Sequence, residues 1–405
     1  MQNEWLRRFP LAVIVIAQLF GTSLWFSVNG VGLALQRDLG ISEVDLGRLT
    51  LMVQAGFIVG TLTIAMTGLA DRFRASRIFA ASCLLGGVIN AGFTLTVDYQ
   101  PFAMSLRFMT GLCLAGIYPL GMKLIIGWTP RHTGLALAWL VGMLTLGTAL
   151  PHLLRGATFT LDWQIPLLLA SSLALLGGAM IFILGDGPHL PASSGPVRLS
   201  EGLSAFRKRN FRAIASGYFG HAWELYAFWM LVPFLVAREI QRLQMSDQSA
   251  AWLSFNIIAL GTTGCLCGGF LSKCLGSLRV ARWALACSGL IGLIYPLLGH
   301  PMLGSASPLI LLALLCLWGF SVIADSPQFS ALAAATAPKE QVGSTLAIMN
   351  ALGFALTIPA IALTTWLWST QGLWVLWWLL PGPTLGLWAL SALKDESFGP
   401  IQTAK

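Results

Sequence analysis

Thr67-Gly68-Leu69-Ala70-Asp71-Arg72-Phe73-Arg74-Ala75-Ser76-Arg77 joins two apolar runs, residues 46–70 and 77–98. Each run has the ~20 largely apolar residues that a helix needs to cross a hydrocarbon core. The charged stretch between them is too polar to follow them in. A pair of helices with a basic turn at one membrane face is the reading that satisfies every backbone polar group without water.

The same pattern extends in both directions. Further runs span 10–35, 101–128, 133–155, 163–185, 212–237, 249–273, 281–299, 307–334, 342–367 and 371–393, making twelve expected transmembrane helices. Composition agrees: the 405 residues are 56% hydrophobic and only 10% charged, too few charges to cover a water-soluble surface of this size. The 16 Trp, 22 Phe and 43 Gly suit a bilayer protein, with aromatics at interfaces and glycines where helices approach. Soluble enzymes, nucleic-acid binders and disulfide scaffolds are thereby excluded. The seven cysteines fall in or beside apolar runs without metal-ligand spacing, and read as small embedded side chains. Arg7 and Arg8 precede a run too long for a signal peptide, which reads as an uncleaved first helix.

Connections are short except for 186–211, which divides the chain into a first bundle of six spans (1–185) and a second (212–405). The end of this linker, Phe206-Arg207-Lys208-Arg209-Asn210-Phe211-Arg212, is a basic amphipathic approach to anionic headgroups. With both termini inside, 17 of the 24 Lys and Arg fall on the cytoplasmic side and five opposite, while Arg107 and Lys123 lie within spans. That asymmetry predicts an even number of spans with both ends cytoplasmic. The halves also read as repeats. Pro119, Pro130 and Pro151 recur 208 residues later as Pro327, Pro338 and Pro359, and Gly56 and Gly60 recur as Gly264 and Gly268. Duplicated halves with a site between them are a transporter architecture.

The 67–77 loop resembles the loop 2–3 motif of the major facilitator superfamily, Gly-x-x-x-Asp-Arg-x-Gly-Arg-Arg, through Asp71 and Arg72. Thr67 and Arg74 stand where that motif has its two glycines. Arg107-Phe108-Met109-Thr110-Gly111 is similar to the superfamily's Arg-x-x-x-Gly motif in its fourth helix. The resemblance implies two six-helix bundles that rock about a central cavity lined by helices 1, 4, 7 and 10, and a monomer. It implies that Asp71, with Arg72 and Arg77, latches cytoplasmic helix ends in one state, where charge-assisted bonds can form. It also implies that Arg107 responds to protonation or binds an anion. The fifth span lacks the Gly-Pro-x-x-Gly-Gly of drug–proton antiporters, and the general look is that of bacterial uptake permeases for small anions.

An ionisable group inside a bilayer is a functional candidate by default. Tyr218, His221 and Glu224 lie at i, i+3 and i+6 on one face of the seventh span, with Glu224 ~18 Å along the helix from Arg212. A carboxylate there is too deep to reach the headgroups and is a candidate proton carrier, a tie to a neighbouring helix being the alternative. Asp325, with His221 a further candidate for proton coupling after Glu224, precedes Pro327, which frees a backbone carbonyl; it could present a site at a broken helix or hold the kink together, and Gln328 lies one turn on. Arg107 and Lys123 could bind an anionic cargo or snorkel to the interface. Asn29, Tyr118, Trp223, Tyr226 and Asn350 could supply hydrogen bonds or stacking surfaces, or serve as glue between helices.

No nucleotide-binding loop occurs, so the energy must come from a gradient. The expected function is proton-coupled uptake (symport) of a small organic anion or zwitterion across a bacterial inner membrane. The alternative is a proton-coupled efflux antiporter for hydrophobic or cationic compounds. An enzyme or sensor is disfavoured by the lack of a catalytic motif or soluble domain. No cofactor, metal or nucleic-acid partner is expected; the partners are the small-molecule substrate, protons and the lipid bilayer.

Overall fold

A computed structural model of the chain describes residues 8–96, 100–129, 133–189, 199–338 and 341–394. Residues 190–198 of the 186–211 linker, with Arg198, lie outside them, as do Arg7, Arg131, Lys339 and Lys405 of the charge count. All regular structure among the described residues is helical. In chain order the principal helices are α1 (Pro10–Thr22), α2 (Ser27–Gly30), α3 (Gly32–Leu39), α4 (Glu43–Thr67), α5 (Ala75–Gly92), α6 (Gln100–Ala115), α7 (Tyr118–Trp128) and α8 (Thr133–Ala157). They continue as α9 (Gln164–Leu184), α10 (Arg209–Arg242), α11 (Asp247–Leu275), α12 (Ser277–Gly299), α13 (Pro308–Ser321), α14 (Ser326–Thr336), α15 (Val342–Gln371) and α16 (Pro381–Ser391). Ten stretches among the described residues are long and apolar enough to cross a membrane. Large apolar side chains on their outer faces, such as Phe182, Phe270 and Trp388, are exposed, as lipid-facing residues should be.

The local sequence explains where helices start and stop. Ser42 caps α4 by accepting from the Asp45 amide at 3.1 Å, with Glu43 and Asp45 at the positive end of the helix. Gly68 ends it in the left-handed region at φ 62°. The Ser76 amide in the first turn of α5 donates to Asp186 Oδ1 at 2.8 Å.

The longest apolar stretch, Val342–Ser391, has 50 residues. A straight helix of that length would run ~75 Å, more than twice a hydrocarbon core. Gly372, at φ 53° and ψ −129°, ends α15. Met349 near the start of the stretch shares one buried cluster with Leu390 and Leu393 near its end and with Phe211 of α10, so the chain doubles back.

The first span departs from expectation. Residues 10–35 do not form one helix but break at 23–26 and again at Val31. No proline marks the break. Hydroxyls compete with amides for its carbonyls: Thr22 donates to the Gln18 carbonyl, Ser23 to that of Phe20 and Ser27 to that of Leu24. Two other breaks fall at the prolines that recur between the halves. Pro119 opens α7 after Gly116–Ile117, and Pro327 opens α14 after Val322–Asp325. Pro151 and Pro359 instead sit inside continuous helices.

The chain divides into two compact units, Met1–Val197 with Gln248–Phe255 and Arg198–Asp247 with Asn256–Lys405. In the first, α4 packs on α6 through glycines: a Cβ on Gly56 would lie 2.0 Å from the Phe108 carbonyl oxygen, and one on Gly111 2.1 Å from that of Val53. In the second, α11 meets α13 the same way, Gly264 against the Phe320 carbonyl and Gly319 against that of Ile257. These contacts correct the repeat register by one turn. Gly60 faces Leu112 as Gly264 faces Phe320, and Val53 faces Gly111 as Ile257 faces Gly319. The broken helices are thus related by 208 residues, whereas the helices packed on them are related by 204.

Candidate functional site

In the second unit a polar cluster forms around α10. His221 and Glu224 are three residues apart on this helix, and both are buried. The break between α13 and α14 supplies Asp325, whose Oδ1 lies 2.7 Å from His221 Nδ1, a buried contact that is an ion pair when the imidazole is protonated. Asp325 sits at the N-cap position of α14, next to the positive end of a half-helix, and makes no side-chain capping bond. The rings of Tyr218 and Phe329 pack 6.0 and 6.1 Å from the imidazole.

Glu224 does not pair with His221. Its Oε2 accepts from Ser288 Oγ of α12 at 2.8 Å, and its Oε1 accepts from Trp318 Nε1 of α13 at 2.8 Å. Trp318 is fully buried and stacks on Phe228 at 4.5 Å, which fixes the direction of its N–H. Glu224 lies within electrostatic reach of both His221 and Asp325. The cluster therefore holds two acids and one base in a dry environment. A change of one bound proton changes the net charge of the whole site, where unbalanced charge is costly.

In the first unit Arg107 is fully buried on α6 and does not snorkel. Its Nη1 donates to Ser27 Oγ and Asn90 Oδ1 at 3.1 and 2.9 Å, and its Nη2 to the Leu24 and Trp25 carbonyls at 3.3 and 2.8 Å. The carbonyls are those freed by the break in the first span. Asn90 in turn donates to Ser171 Oγ at 3.0 Å, extending the network to α9. All four acceptors of Arg107 are neutral, and its Nε has no hydrogen-bond partner among the described residues.

Lys123 of α7 donates to Asp71 Oδ1 at 2.8 Å and to the Ala70 carbonyl at 2.5 Å. It neither snorkels freely nor joins Arg107. Asp71 thus pairs with Lys123, whereas Arg72 and Arg77 are exposed and make no ion pair among the described residues.

The remaining candidates separate. Asn29 Nδ2 donates to Thr50 Oγ1 at 3.0 Å, tying α2 to α4. Trp223 turns away from the cluster and donates to the Trp378 carbonyl at 2.8 Å. Tyr226 packs on Trp229 and Phe354, at 5.2 and 5.3 Å between ring centres. Gln328 is buried one turn past Asp325, while Tyr118 and Asn350 are half-buried.

Sequence reasoning did not pick out Ser288, Trp318, Ser27 or Asn90. Each is a single polar group in an apolar run. A further network was also missed. Buried Glu239 bridges Arg238 and Arg242 at the C-terminal end of α10, and these donate to the Gly299 and Ala306 carbonyls. The spacing of those three residues, i, i+1 and i+4, could have signalled it.

No curated protein matches the sequence significantly. Solved structures do match the fold. A bacterial homologue of the human lysosomal transporter Spinster, inward-facing and unoccupied, superposes with a TM-score of 0.67 at 14% identity, covering 95% of this chain and 94% of that one. The occupied inward-facing form of such a homologue gives 0.65 at 14% identity with the same coverage. The family model for the Major Facilitator Superfamily matches residues 13–362. A multi-pass membrane chain of this architecture, matched over most of its length, belongs to the Major Facilitator Superfamily.

Proposed function

We propose that the protein is a proton-coupled secondary transporter of the bacterial inner membrane. In this reading twelve spans form two six-helix bundles, residues 1–185 and 212–405, with both termini cytoplasmic and a monomer as the working unit. Transport proceeds by alternating access, with a small molecule and a proton sharing one cycle. The observation that carries the coupling is the cluster of Glu224, His221 and Asp325, three titratable groups buried to 3% exposure or less on and beside one helix. A coupling site must differ in proton occupancy between states, and in this cluster one proton changes the charge of a dry site.

For cargo, the first reading is uptake of a small organic anion or zwitterion. It is supported by Arg107, a buried cation whose partners are all neutral and whose Nε is unused. Lys123 no longer contributes to that reading because Asp71 occupies it. The second reading, efflux of cationic or hydrophobic compounds in exchange for protons, is supported by the excess of acid over base in the α10 cluster. Asp71 pairs with Lys123 inside the first bundle, so as a latch it acts on the helix ends of that bundle, in place of the expected arginines.

A thermal-shift screen of small carboxylates, amino acids and lipophilic cations on the purified protein separates the two. A ligand at a hundred times its dissociation constant adds about 2.7 kcal/mol of stability. Stabilisation by carboxylates, lost on Arg107→Gln, supports uptake; stabilisation by cations, lost on Asp325→Asn, supports efflux.

A further inference from the structure

We infer that the proton carried by Glu224 resides on Oε2, and that Ser288 is the positioning residue that holds it there. The inference rests on the reading of Glu224 as a proton carrier. It follows from what each partner is able to do. The indole N–H of Trp318 donates and cannot accept, so Oε1 must remain an acceptor for as long as that bond is kept. A proton on Oε1 would leave the N–H with a hydroxyl oxygen, a weaker acceptor than the carbonyl oxygen it meets when the proton is on Oε2. Phe228, stacked on the indole at 4.5 Å, and Tyr295, 6.4 Å away, hold the ring in place.

Ser288 has the opposite property. A hydroxyl carries one hydrogen and two lone pairs, so it can donate or accept. Its Oγ lies 2.8 Å from Glu224 Oε2 and 3.2 Å from the Leu285 carbonyl, two acceptors for a single hydrogen. With Glu224 ionised, the hydroxyl donates to Oε2. With a proton on Oε2, the new O–H donates to Oγ, and the serine hydrogen turns to the Leu285 carbonyl. One O–H bond forms at the carboxylate, none breaks at the serine, and no buried polar group is left unpaired in either state. The proton itself comes from water.

The surroundings leave few competitors. His221 on α10 and Asp325 at the broken helix are the charged groups that act on Glu224, and Tyr295 of α12 stands behind Trp318. The sequences of α15 and α16 contain no ionisable side chain. Ser288 is therefore the one neighbour in hydrogen-bond contact with Glu224, among the described residues, that can accept from it.

Infrared spectra of the full-length protein in lipid, recorded as the pH is lowered, test the assignment through the C=O stretch of the protonated carboxyl. The wild type should show a titrating carboxyl band that Glu224→Gln removes. If that band persists in Glu224→Gln, Glu224 is not the carrier and the functional reading beneath this inference fails. With the proton on Oε2, the C=O oxygen is Oε1. Trp318→Phe should then raise the band frequency, while Ser288→Ala leaves the frequency and displaces the midpoint of the titration. Ser288→Thr, which keeps the hydroxyl and the fold, should restore the wild-type midpoint. The assignment is overturned if Ser288→Ala raises the frequency and Trp318→Phe does not, which would put the proton on Oε1. It is equally overturned if neither variant changes the spectrum.

Discussion

Lys123 Nζ lies 2.8 Å from Asp71 Oδ1, across 52 residues of sequence, and makes α7 the partner of the loop that follows α4. The acidic residue in the basic loop is thus held by a lysine from the broken fourth span, while the adjacent arginines remain exposed. Both residues lie in the first unit, so the pair ties the loop after α4 to α7 within it and can gate only a movement of those helix ends.

Asp71→Asn should slow transport without abolishing ligand binding, because the pair is only partly buried and contributes only about 1 kcal/mol. Exchanging the two charges, Asp71→Lys with Lys123→Asp, should recover part of the rate. Turnover measured in liposomes decides this, and an unchanged rate in Asp71→Asn would sink the latch.

Arg107 should matter to the fold even without substrate. Arg107→Ala removes donors from Ser27, Asn90 and two carbonyls at a helix break; the Ser27 hydroxyl can still serve Asn90 or Leu24, but the buried Trp25 carbonyl loses its side-chain donor, and a buried acceptor left unpaired costs ~1–3 kcal/mol. A clear fall in melting temperature of the ligand-free protein is expected. Full stability with lost transport would make Arg107 a ligand contact alone.

The His221–Asp325 ion pair predicts non-additivity. His221→Ala and Asp325→Asn each break the same contact, so the double variant should be destabilised by less than the sum of the singles, with a coupling of ~1–3 kcal/mol. A thermal-unfolding cycle on the four proteins measures it, and strictly additive losses would contradict the pairing.

The glycine contacts predict a graded response. Gly264→Ala places a Cβ 1.9 Å from the Phe320 carbonyl, and Gly56→Ala places one 2.0 Å from that of Phe108, so the helix pairs must separate at a cost of ~1–3 kcal/mol. Gly343→Ala, with open space around its Cβ, should be near neutral. Equal melting temperatures for Gly264→Ala and Gly343→Ala would contradict the packing.

Much of the fold was legible because apolar length is a property of the linear sequence. Runs such as 163–185 and 281–299 end within a few residues of α9 and α12. The break in the first span was not legible, since it depends on hydroxyls of Ser23 and Ser27 and on Arg107 from 80 residues away. Proline announced the break at 327, whereas the one at 119 lay inside a run read as a single span, and Pro151 and Pro359 carry the same signal inside continuous helices. At the site, ionisable residues stood out because charge is rare in a bilayer. Their partners did not, because a lone serine or tryptophan in an apolar run is ordinary, and only folding shows which one points at Glu224.

The central claim is that Glu224 and its neighbours couple substrate movement to protons. Substrate-driven proton flux in liposomes tests it most directly, using a pH-sensitive dye inside and small carboxylates, amino acids and lipophilic cations in turn outside. The account predicts that at least one compound moves protons through the wild type, acidifying the lumen if symported and alkalinising it if exchanged. Glu224→Gln should abolish that flux while still exchanging the compound across the membrane. Transport without any proton movement in the wild type, or equal proton flux in Glu224→Gln, would contradict the account.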